Sequence, residues 1–195
     1  MARKPAAAGF FCLLFFARQK IEQSQTLSAR VLDMKITSGY QPGVIGRVTQ
    51  MQIDYYATHH DFGAHFERRI ATELSELIGR LDNSRNAIFC SVIKGQIVGS
   101  ISVDGQQADP NTARMRWFIT DAEYTGRGIG RTLIERALRH CEGQGLNRVV
   151  LSSFEGLDPA RALYESFGFK LMTEQPGQQY GAEVLEQEFE RIVTS

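Results

Sequence analysis

Three glycines at alternate positions stand directly before a strongly helical run in YTGRGIGRTLIERAL, residues 124–138. Glycine loses more conformational freedom on folding than any other residue, so its repetition needs a physical reason. The first turn of a helix leaves its backbone N–H groups without acceptors, and these groups attract anions together with the helix dipole. The stretch therefore predicts a phosphate-binding loop, with a tight structural turn as the alternative. The residues expected to contact the anion are Gly126, Arg127, Gly128, Ile129, Gly130 and Arg131.

The residue pattern of this loop excludes two common nucleotide-binding motifs. A P-loop requires Lys followed by Ser or Thr after its last glycine, and here Arg-Thr follows instead. A dinucleotide fingerprint requires GxGxxG within a parallel βαβ unit. This loop is spelled GxGxG, and the strand before it is predicted to lie in an antiparallel meander. The sequence therefore predicts a third type of phosphate site.

The stretch FITDAEYTGRGIGRTLIERAL, residues 118–138, resembles the pyrophosphate-binding motif of the GNAT superfamily of N-acetyltransferases. That motif is usually Arg/Gln-x-x-Gly-x-Gly/Ala, and the match runs over Gly126–Gly130, with Gly128 and Gly130 at its two glycine positions. Thr125 stands where Arg or Gln is usual. Because the family binds the pyrophosphate mostly through backbone amides, the resemblance implies that this substitution weakens binding without abolishing it.

A second stretch, LDPARALYESFGF at residues 157–169, resembles the other signature of the family, NxxAxxLYxxxGF. Leu157 replaces the usual Asn, so a hydrogen bond to pantetheine or to the substrate is expected to be lost or moved. The matching positions are Ala160, Leu163, Tyr164, Gly168 and Phe169. The two motifs together carry the resemblance, which covers about residues 34–192. The sequence most resembles the acetyltransferase half of proteins that fuse a MarR-type DNA-binding domain to a GNAT domain. We expect this chain to be too short to include the winged helix of that DNA-binding domain.

The resemblance implies acetyl-CoA as co-substrate, no metal, and direct acetyl transfer to an amine within a ternary complex. Tyr164 stands at the position of the family's general acid, which protonates the departing CoA thiolate; a packing role on the helix is the alternative. The strand before the glycine loop binds the acetyl carbonyl and pantetheine through its backbone in this family. The resemblance assigns that role to Phe118, Ile119 and Thr120, which are also compatible with a purely structural strand.

The general base is not evident in the sequence. Ser152 stands where some members of the family carry a catalytic Glu, and Glu155 in the following loop is the candidate that could reach the amine directly or through water. His59, His60 and His65 lie where the fold usually covers the acceptor, and histidine titrates near neutrality. Histidines near a helix junction are more often structural, and adjacent histidines rarely present both rings to one metal ion. We therefore assign no metal site.

The hydrophobic pattern changes between helical and strand periods along the chain. The order β-α-α-β-β-β-α-β-α-β-β predicts an α/β protein with a mixed sheet and helices on both faces, and the resemblance implies that this is the GNAT fold. Asp158 is expected to be the N-cap of the last helix, with Pro159 at its first position. The expected strands are 35–40, 87–93, 97–104, 112–120, 148–153, 170–174 and 183–192, and the expected helices are 42–56, 64–81, 131–142 and 158–167.

Composition limits the partners and the compartment. The 195 residues carry 22 basic and 22 acidic side chains, so no basic surplus favours nucleic acid or an anionic membrane. Three widely spaced cysteines predict a reducing compartment, and we expect the protein to be cytoplasmic. Residues 1–33 are interpreted as an N-terminal extension, because their apolar run 6–17 is too short to span a bilayer and Met34 directly precedes the first strand. The acetyltransferase domain is then expected to comprise residues 34–195. The sequence is compatible with a homodimer of this domain and does not decide its oligomeric state.

Three functions follow from these observations. The first is an N-acetyltransferase that acts on the primary amine of a small molecule, with a protein N-terminus as the alternative acceptor. The second is a non-catalytic domain that binds acyl-CoA as a sensor or interaction module, which the departures at Thr125, Ser152 and Leu157 favour. The third, a purely structural α/β domain, requires both motifs to be coincidental.

Overall fold

A seven-stranded mixed sheet forms the centre of the protein in the computed structural model, which describes residues 34–193. The strands are β1 (Lys35–Ser38), β2 (Ala87–Ile93), β3 (Gln96–Asp104), β4 (Thr112–Thr120), β5 (Arg148–Phe154), β6 (Lys170–Gly177) and β7 (Val184–Ile192). Their spatial order is β1-β2-β3-β4-β5-β7-β6, and only β4 and β5 pair in parallel among them. The predicted mixed sheet is thus confirmed.

Helices cover both faces of this sheet, which explains why β2 and β3 are buried along nearly their whole length rather than at alternate residues. Two helices, α1 (Val44–His60) and α2 (Ala64–Ile78), pack on one face through Val48, Leu74 and their neighbours. The other face is covered by α3 (Ile129–Gly143) and α4 (Asp158–Ser166). The predicted fold class and element order are confirmed.

The β2–β3 hairpin turns at Lys94 and Gly95, which both have positive φ angles of 50° and 78°. Two central residues with positive φ are the signature of a type I′ turn, whose twist matches that of the flanking strands. The expected strands 87–93 and 97–104 are thus joined by a tight hairpin.

Several boundaries differ from the prediction. Helix α1 continues to His60, where Asp61 ends it in the left-handed conformation, and α2 already ends at Ile78. The expected N-cap Asp158 is wrong: it is the first helical residue, and the carbonyl of Leu157 accepts the first two bonds of the helix. Leu157 takes the cap position because its apolar side chain is buried beside Phe154.

The predicted N-terminal extension 1–33 lies outside the described residues, so the domain boundary at residue 34 stays a prediction. Within residues 34–193, none of the helices has the length and apolar character needed to cross a membrane.

Candidate active site

A cleft opens in the sheet where the parallel strands β4 and β5 separate. They pair only from Thr112 with Arg148 to Met115 with Leu151. Beyond this point β4 stays with β3, and β5 continues its pairing with β7 as far as Phe154. The β4 edge that faces β5 is therefore free of a strand partner after Met115.

A bulge in β4 shapes this opening. Ile101 of β3 faces two residues of β4, Trp117 and Phe118, because the register shifts between Ser100 and Ser102. Trp117 has a φ of 48°, a left-handed conformation that is costly for a bulky side chain by about 1–3 kcal/mol. Its carbonyl accepts a hydrogen bond from the hydroxyl of Ser100 at 2.9 Å, which helps to hold the bulge.

The cleft contains a cavity of about 470 Å³ whose lining includes residues from both faces of the sheet. Met115 and Leu151 belong to the core on the α3 and α4 side, whereas Phe66 and Phe154 belong to an aromatic cluster on the α1 and α2 side. A volume of this size is typical of small-molecule sites. The cleft can therefore receive one ligand from each face of the sheet.

The glycine loop lies at the start of α3, at the end of β4. Gly126 and Gly128 have φ angles of 76° and 78°, and a Cβ atom on either would meet no atom within 4 Å. None of the amide N–H groups of residues 126–131 donates to an acceptor within the described part of the chain. Six free donors beside a helix N-terminus form a site for a di-anionic group.

Gly130 allows the loop to approach the cleft closely. A Cβ atom there would lie 3.0 Å from the ring of Phe118 and 3.3 Å from Leu163. The same Phe118 ring lies 5.9 Å from the ring of Tyr164, between their centroids. Phe118 thus connects the anion loop to the tyrosine inside the cleft.

Tyr164 lines the cleft from α4 and is only 8% exposed. Burial, and to a lesser extent the nearby Tyr180, raises the pKa of its hydroxyl, so the group keeps its proton at neutral pH. Tyr56 and Tyr180 line the same cavity. Burial likewise raises the pKa of Tyr56, and it raises the pKa of Tyr180 to about 12.

The α1 and α2 side of the cleft contains five charged side chains. Glu73 of α2 accepts from Arg69 at 2.9 Å and from Arg116 at 2.7 Å. Glu188 of β7 accepts from Arg114 at 2.9 Å. Three arginines against two glutamates leave one positive charge in excess on this side, opposite to the tyrosine on α4.

The sequence profile of the Acetyltransferase (GNAT) family matches residues 50–169, which include both motifs and the cleft between them. The chain belongs to the GNAT family. This family is one of acetyltransferases. Family members act on amines and use acetyl-CoA.

Among curated relatives of this GNAT domain, an N-acetylaspartate synthetase from Xenopus tropicalis is 27% identical over 117 residues, which are 60% of this chain and 43% of that protein. N-acetyltransferase family 8 member 3 from Rattus norvegicus is 33% identical over 94 residues, 46% of this chain and 41% of that protein. The chain therefore spans less than half the length of the curated relatives it matches.

Solved structures of other GNAT proteins share the fold. The acetyltransferase yncA from Salmonella typhimurium, solved with its cofactor acetyl-CoA, aligns with a TM-score of 0.67 at 16% identity and covers 83% of this chain and 95% of its own. Ard1 from Thermoplasma volcanium aligns with a TM-score of 0.65 at 19% identity, covering 84% and 99%. At these identities the likeness concerns the fold alone.

Of the predicted site residues, Phe118 and Tyr164 line the cleft, whereas the loop residues 126–131 lie outside its lining and approach it through the contact of Gly130 with the Phe118 ring. Ile119 is buried against α1, and its side chain and that of Thr120 are not in the cavity lining. Thr125 is exposed beside the loop, and Leu157 contributes an apolar wall to the cleft.

The candidate base Glu155 is not brought into the main cleft. It is exposed and lines a separate cavity of about 190 Å³ with Arg161 and Glu174. Ser152 does line the cleft, where its hydroxyl accepts from Arg114 at 2.9 Å.

The three histidines near the α1–α2 junction lie outside the lining of the cleft. His60 packs edge-on against Phe154 with their centroids 4.8 Å apart, and partial burial lowers its pKa. His59 stacks on Tyr55, and His65 lies in the first turn of α2 against Gly181. Within residues 34–193 no cluster of three or more His, Cys, Asp or Glu side chains could hold a metal ion.

The charged residues of the cleft are not evident in the sequence. Arg114 and Arg116 alternate with apolar residues on β4, a pattern that equally describes a solvent-facing strand. Only the pairing of β4 with β5, and α2 above them, places these side chains inside a cavity. This alternation is the sequence feature that marks the two arginines, and it does not distinguish a binding site from an exposed strand.

Proposed function

We propose that this GNAT enzyme transfers the acetyl group of acetyl-CoA to the primary amine of a small molecule, by direct attack within a ternary complex, with Tyr164 as general acid. The observation that carries this proposal is the continuity of the cleft. Phe118 and Tyr164 line the same cavity as the charged and aromatic chamber, and the Phe118 ring lies 3.0 Å from where a Cβ atom on Gly130 of the loop would stand.

The residues present fit acetyl-CoA. The six N–H groups of residues 126–131, which have no acceptor within residues 34–193, match the oxygens of a pyrophosphate, and there is open space beside Gly126 and Gly128. The unpaired edge of β4 beyond Met115 offers backbone groups to the pantetheine arm and the acetyl carbonyl, the role expected for Phe118, Ile119 and Thr120. When bound, the co-substrate supplies the acetyl group as an activated thioester.

Tyr164 performs the acid step in this proposal. The acceptor nitrogen forms a bond to the acetyl carbon, the carbon–sulfur bond breaks, and the electron pair of that bond remains on sulfur. The hydroxyl of Tyr164 donates its proton to this sulfur, and the nitrogen loses one proton to water. Tyr164 then recovers a proton from solvent, so the products are an acetamide and the free thiol of CoA.

The chamber itself favours the reactive form of the amine. Burial between apolar and aromatic walls removes water from a bound ammonium ion and thereby lowers the pKa of the acceptor nitrogen. This effect reduces the need for a strong base at Ser152. Glu155 stays our candidate for accepting the proton through water.

The acceptor is proposed to be a small molecule rather than a protein N-terminus. A cavity of about 470 Å³ suits a small molecule. The relatives named N-acetylaspartate synthetase make an acetylated amino acid, as that name states. The fold likeness to a ribosomal-protein-alanine N-acetyltransferase from Brucella melitensis keeps a protein N-terminus as an acceptor to be tested.

The cellular compartment and the partners of the protein are proposed from its sequence. Cys90 and Cys141 are free and buried, which agrees with the reducing, cytoplasmic compartment that we propose. Likeness to the acetyltransferase half of MarR–GNAT fusions, a homodimer, and the absence of a nucleic-acid or membrane partner also stay predictions.

Two measurements test the function. Acetyl-CoA titration by calorimetry should show saturable binding, and absence of binding at millimolar concentration would exclude both the enzyme and the acyl-CoA sensor. Thiol release is then followed over amino acids, polyamines and an alanine-terminated peptide, with mass spectrometry of the products. Acetylation of a small amine supports the proposal, acetylation of the peptide alone favours a protein acetyltransferase, and binding without release from any acceptor favours the sensor.

A further inference from the structure

Arg116 has a donor edge without an acceptor. Its Nη1 atom donates to Glu73 at 2.7 Å. Its Nε atom is buried and makes no hydrogen bond, and its Nη2 atom likewise donates to no acceptor among residues 34–193. Nε and Nη2 form one side of the planar guanidinium, which is the geometry that binds a carboxylate through two parallel hydrogen bonds.

The other two arginines of the chamber are engaged. Arg114 donates one terminal nitrogen to Ser152 and the other to Glu188. Arg69 donates to Glu73 and, with both terminal nitrogens, to Gln179. The excess positive charge of the chamber therefore coincides with the one arginine that retains a free edge.

The bulge in β4 explains why Arg116 is held in this position. Residues of a regular strand alternate between faces, but the left-handed Trp117 interrupts the alternation. The guanidinium of Arg116 lies 5.5 Å from the centroid of the Trp117 ring. Glu73 and the indole thus hold the guanidinium in the wall of the cleft.

We infer that the acceptor carries a carboxylate and that the free edge of Arg116 binds it, so the substrate class is that of amino acids and their conjugates. This inference rests on the proposed acetyl transfer and specifies its acceptor. The carboxylate satisfies the buried Nε donor and neutralises the excess charge. The apolar walls formed by Phe66, Phe154 and Tyr180 receive the rest of the molecule.

Matched pairs of acceptors test the carboxylate directly. We compare L-phenylalanine with 2-phenylethylamine and L-leucine with 3-methylbutylamine, in which only the carboxylate is missing. For the wild-type protein, kcat/KM should be about tenfold or more higher for the amino acid of a pair, because hydrogen bonds to charged groups have that effect. Equal values, or a preference for the decarboxylated amines, would overturn the inference while leaving acetyl transfer intact.

Variants of Arg116 locate the effect. Arg116→Gln should reduce the preference within each pair to about one, and Arg116→Lys should keep part of it, as a point charge without the fork. Glu73 keeps Arg69 as a partner in both variants, so no carboxylate is left unpaired. Arg148→Gln is the matched control, since Arg148 is also a strand arginine bound to a glutamate but lies outside the cleft. A preference that survives in Arg116→Gln contradicts the inference.

Binding of the products gives a second measurement that needs no turnover. Trp117 is the single tryptophan of the chain and lines the cleft beside Arg116, so its fluorescence reports on this site. N-acetyl-L-phenylalanine should change the emission at a concentration about tenfold lower than N-acetyl-2-phenylethylamine does, and Arg116→Gln should remove the difference. If no acceptor is acetylated but this difference is found, the carboxylate site stands and the transferase proposal fails. If both products bind equally, the carboxylate site is excluded.

Discussion

The two ends of the cleft are built in different ways. The anion loop is a contiguous stretch, residues 126–131, that presents backbone amides. The chamber on the opposite face is assembled from side chains of α2, β4, β5 and β7, which are spread over residues 69–188. The comparison shows that a site made of backbone depends on local conformation, whereas a site made of side chains depends on how distant elements meet.

The arginines at the two ends of the cleft also differ in the contacts that hold them. In the loop, Arg127 lies over the ring of Tyr124 and Arg131 over that of Phe167, at 4.8 and 5.0 Å from the centroids. These stacking contacts hold the arginines at the edge of the loop. In the chamber, arginines form ion pairs with glutamates, and the charges of these side chains determine which acceptor molecules can bind.

The largest effect is expected at Tyr164, which lies between the two ends. Tyr164→Phe should lower kcat about a hundredfold, because it removes the acid and keeps the ring. The dissociation constant of acetyl-CoA, measured by calorimetry, should stay unchanged. Tyr56→Phe is the control, because Tyr56 also lines the cleft and burial also raises the pKa of its hydroxyl, and we expect it to change kcat by less than about threefold. A larger loss in Tyr56→Phe than in Tyr164→Phe would assign the acid step to the α1 side of the cleft.

The backbone end is tested by a methyl group on Gly128. Gly128→Ala should destabilise the fold by roughly 1–2 kcal/mol, because its φ of 78° disfavours an L-residue. It should also weaken acetyl-CoA binding about tenfold in calorimetry, since the displaced amides bind phosphate less well. Gly145 has a φ of 68°, equally open space at its Cβ and a position after α3, so Gly145→Ala should match the loss of stability in thermal unfolding without the loss of affinity. Equal losses of affinity in the two variants would show that the loop is only a turn.

The arginines of the loop should contribute less than its backbone. The double variant Arg127→Gln with Arg131→Gln should raise the KM for acetyl-CoA by about two- to fivefold, as expected for solvent-screened charges. The effect should shrink further at high salt. Arg139→Gln, on the exposed surface of the same helix, is the control. A rise in KM as large as that in Gly128→Ala would mean that side chains dominate this end too.

The same contrast explains what can be predicted from the sequence. The order of elements, the helix-start loop and Tyr164 each depend on a short pattern, such as Gly126-x-Gly128 or the apolar period of α3. Local physics determines these features, so the residue pattern alone is enough to predict them. The N-cap prediction at Asp158 is wrong because the tertiary burial of Leu157 overrides the local preference of Asp for that position.

The chamber is not predictable from the sequence for a physical reason. Arg116 is paired with Glu73, which is 43 residues away, and Arg114 with Glu188, 74 residues away. No local pattern specifies such pairs. Likewise, the bulge at Trp117 depends on the register with Ile101 across the sheet. Sequence patterns therefore identify the co-substrate end and leave the acceptor end undetermined.

The smallest expected effect is an absence of change at alkaline pH, and it distinguishes the buried centre of the cleft from its open ends. A tyrosine with the ordinary pKa of 10.0 is half ionised at pH 10 and would lose half of its activity as an acid there. Burial raises the pKa of Tyr164, which moves this loss to higher pH. Initial rates at saturating substrates, corrected for thioester hydrolysis, should therefore give a kcat that stays level up to about pH 10. A kcat that halves at or below this pH would show that water reaches Tyr164 during turnover and that the cleft does not isolate its centre as the resting structure does.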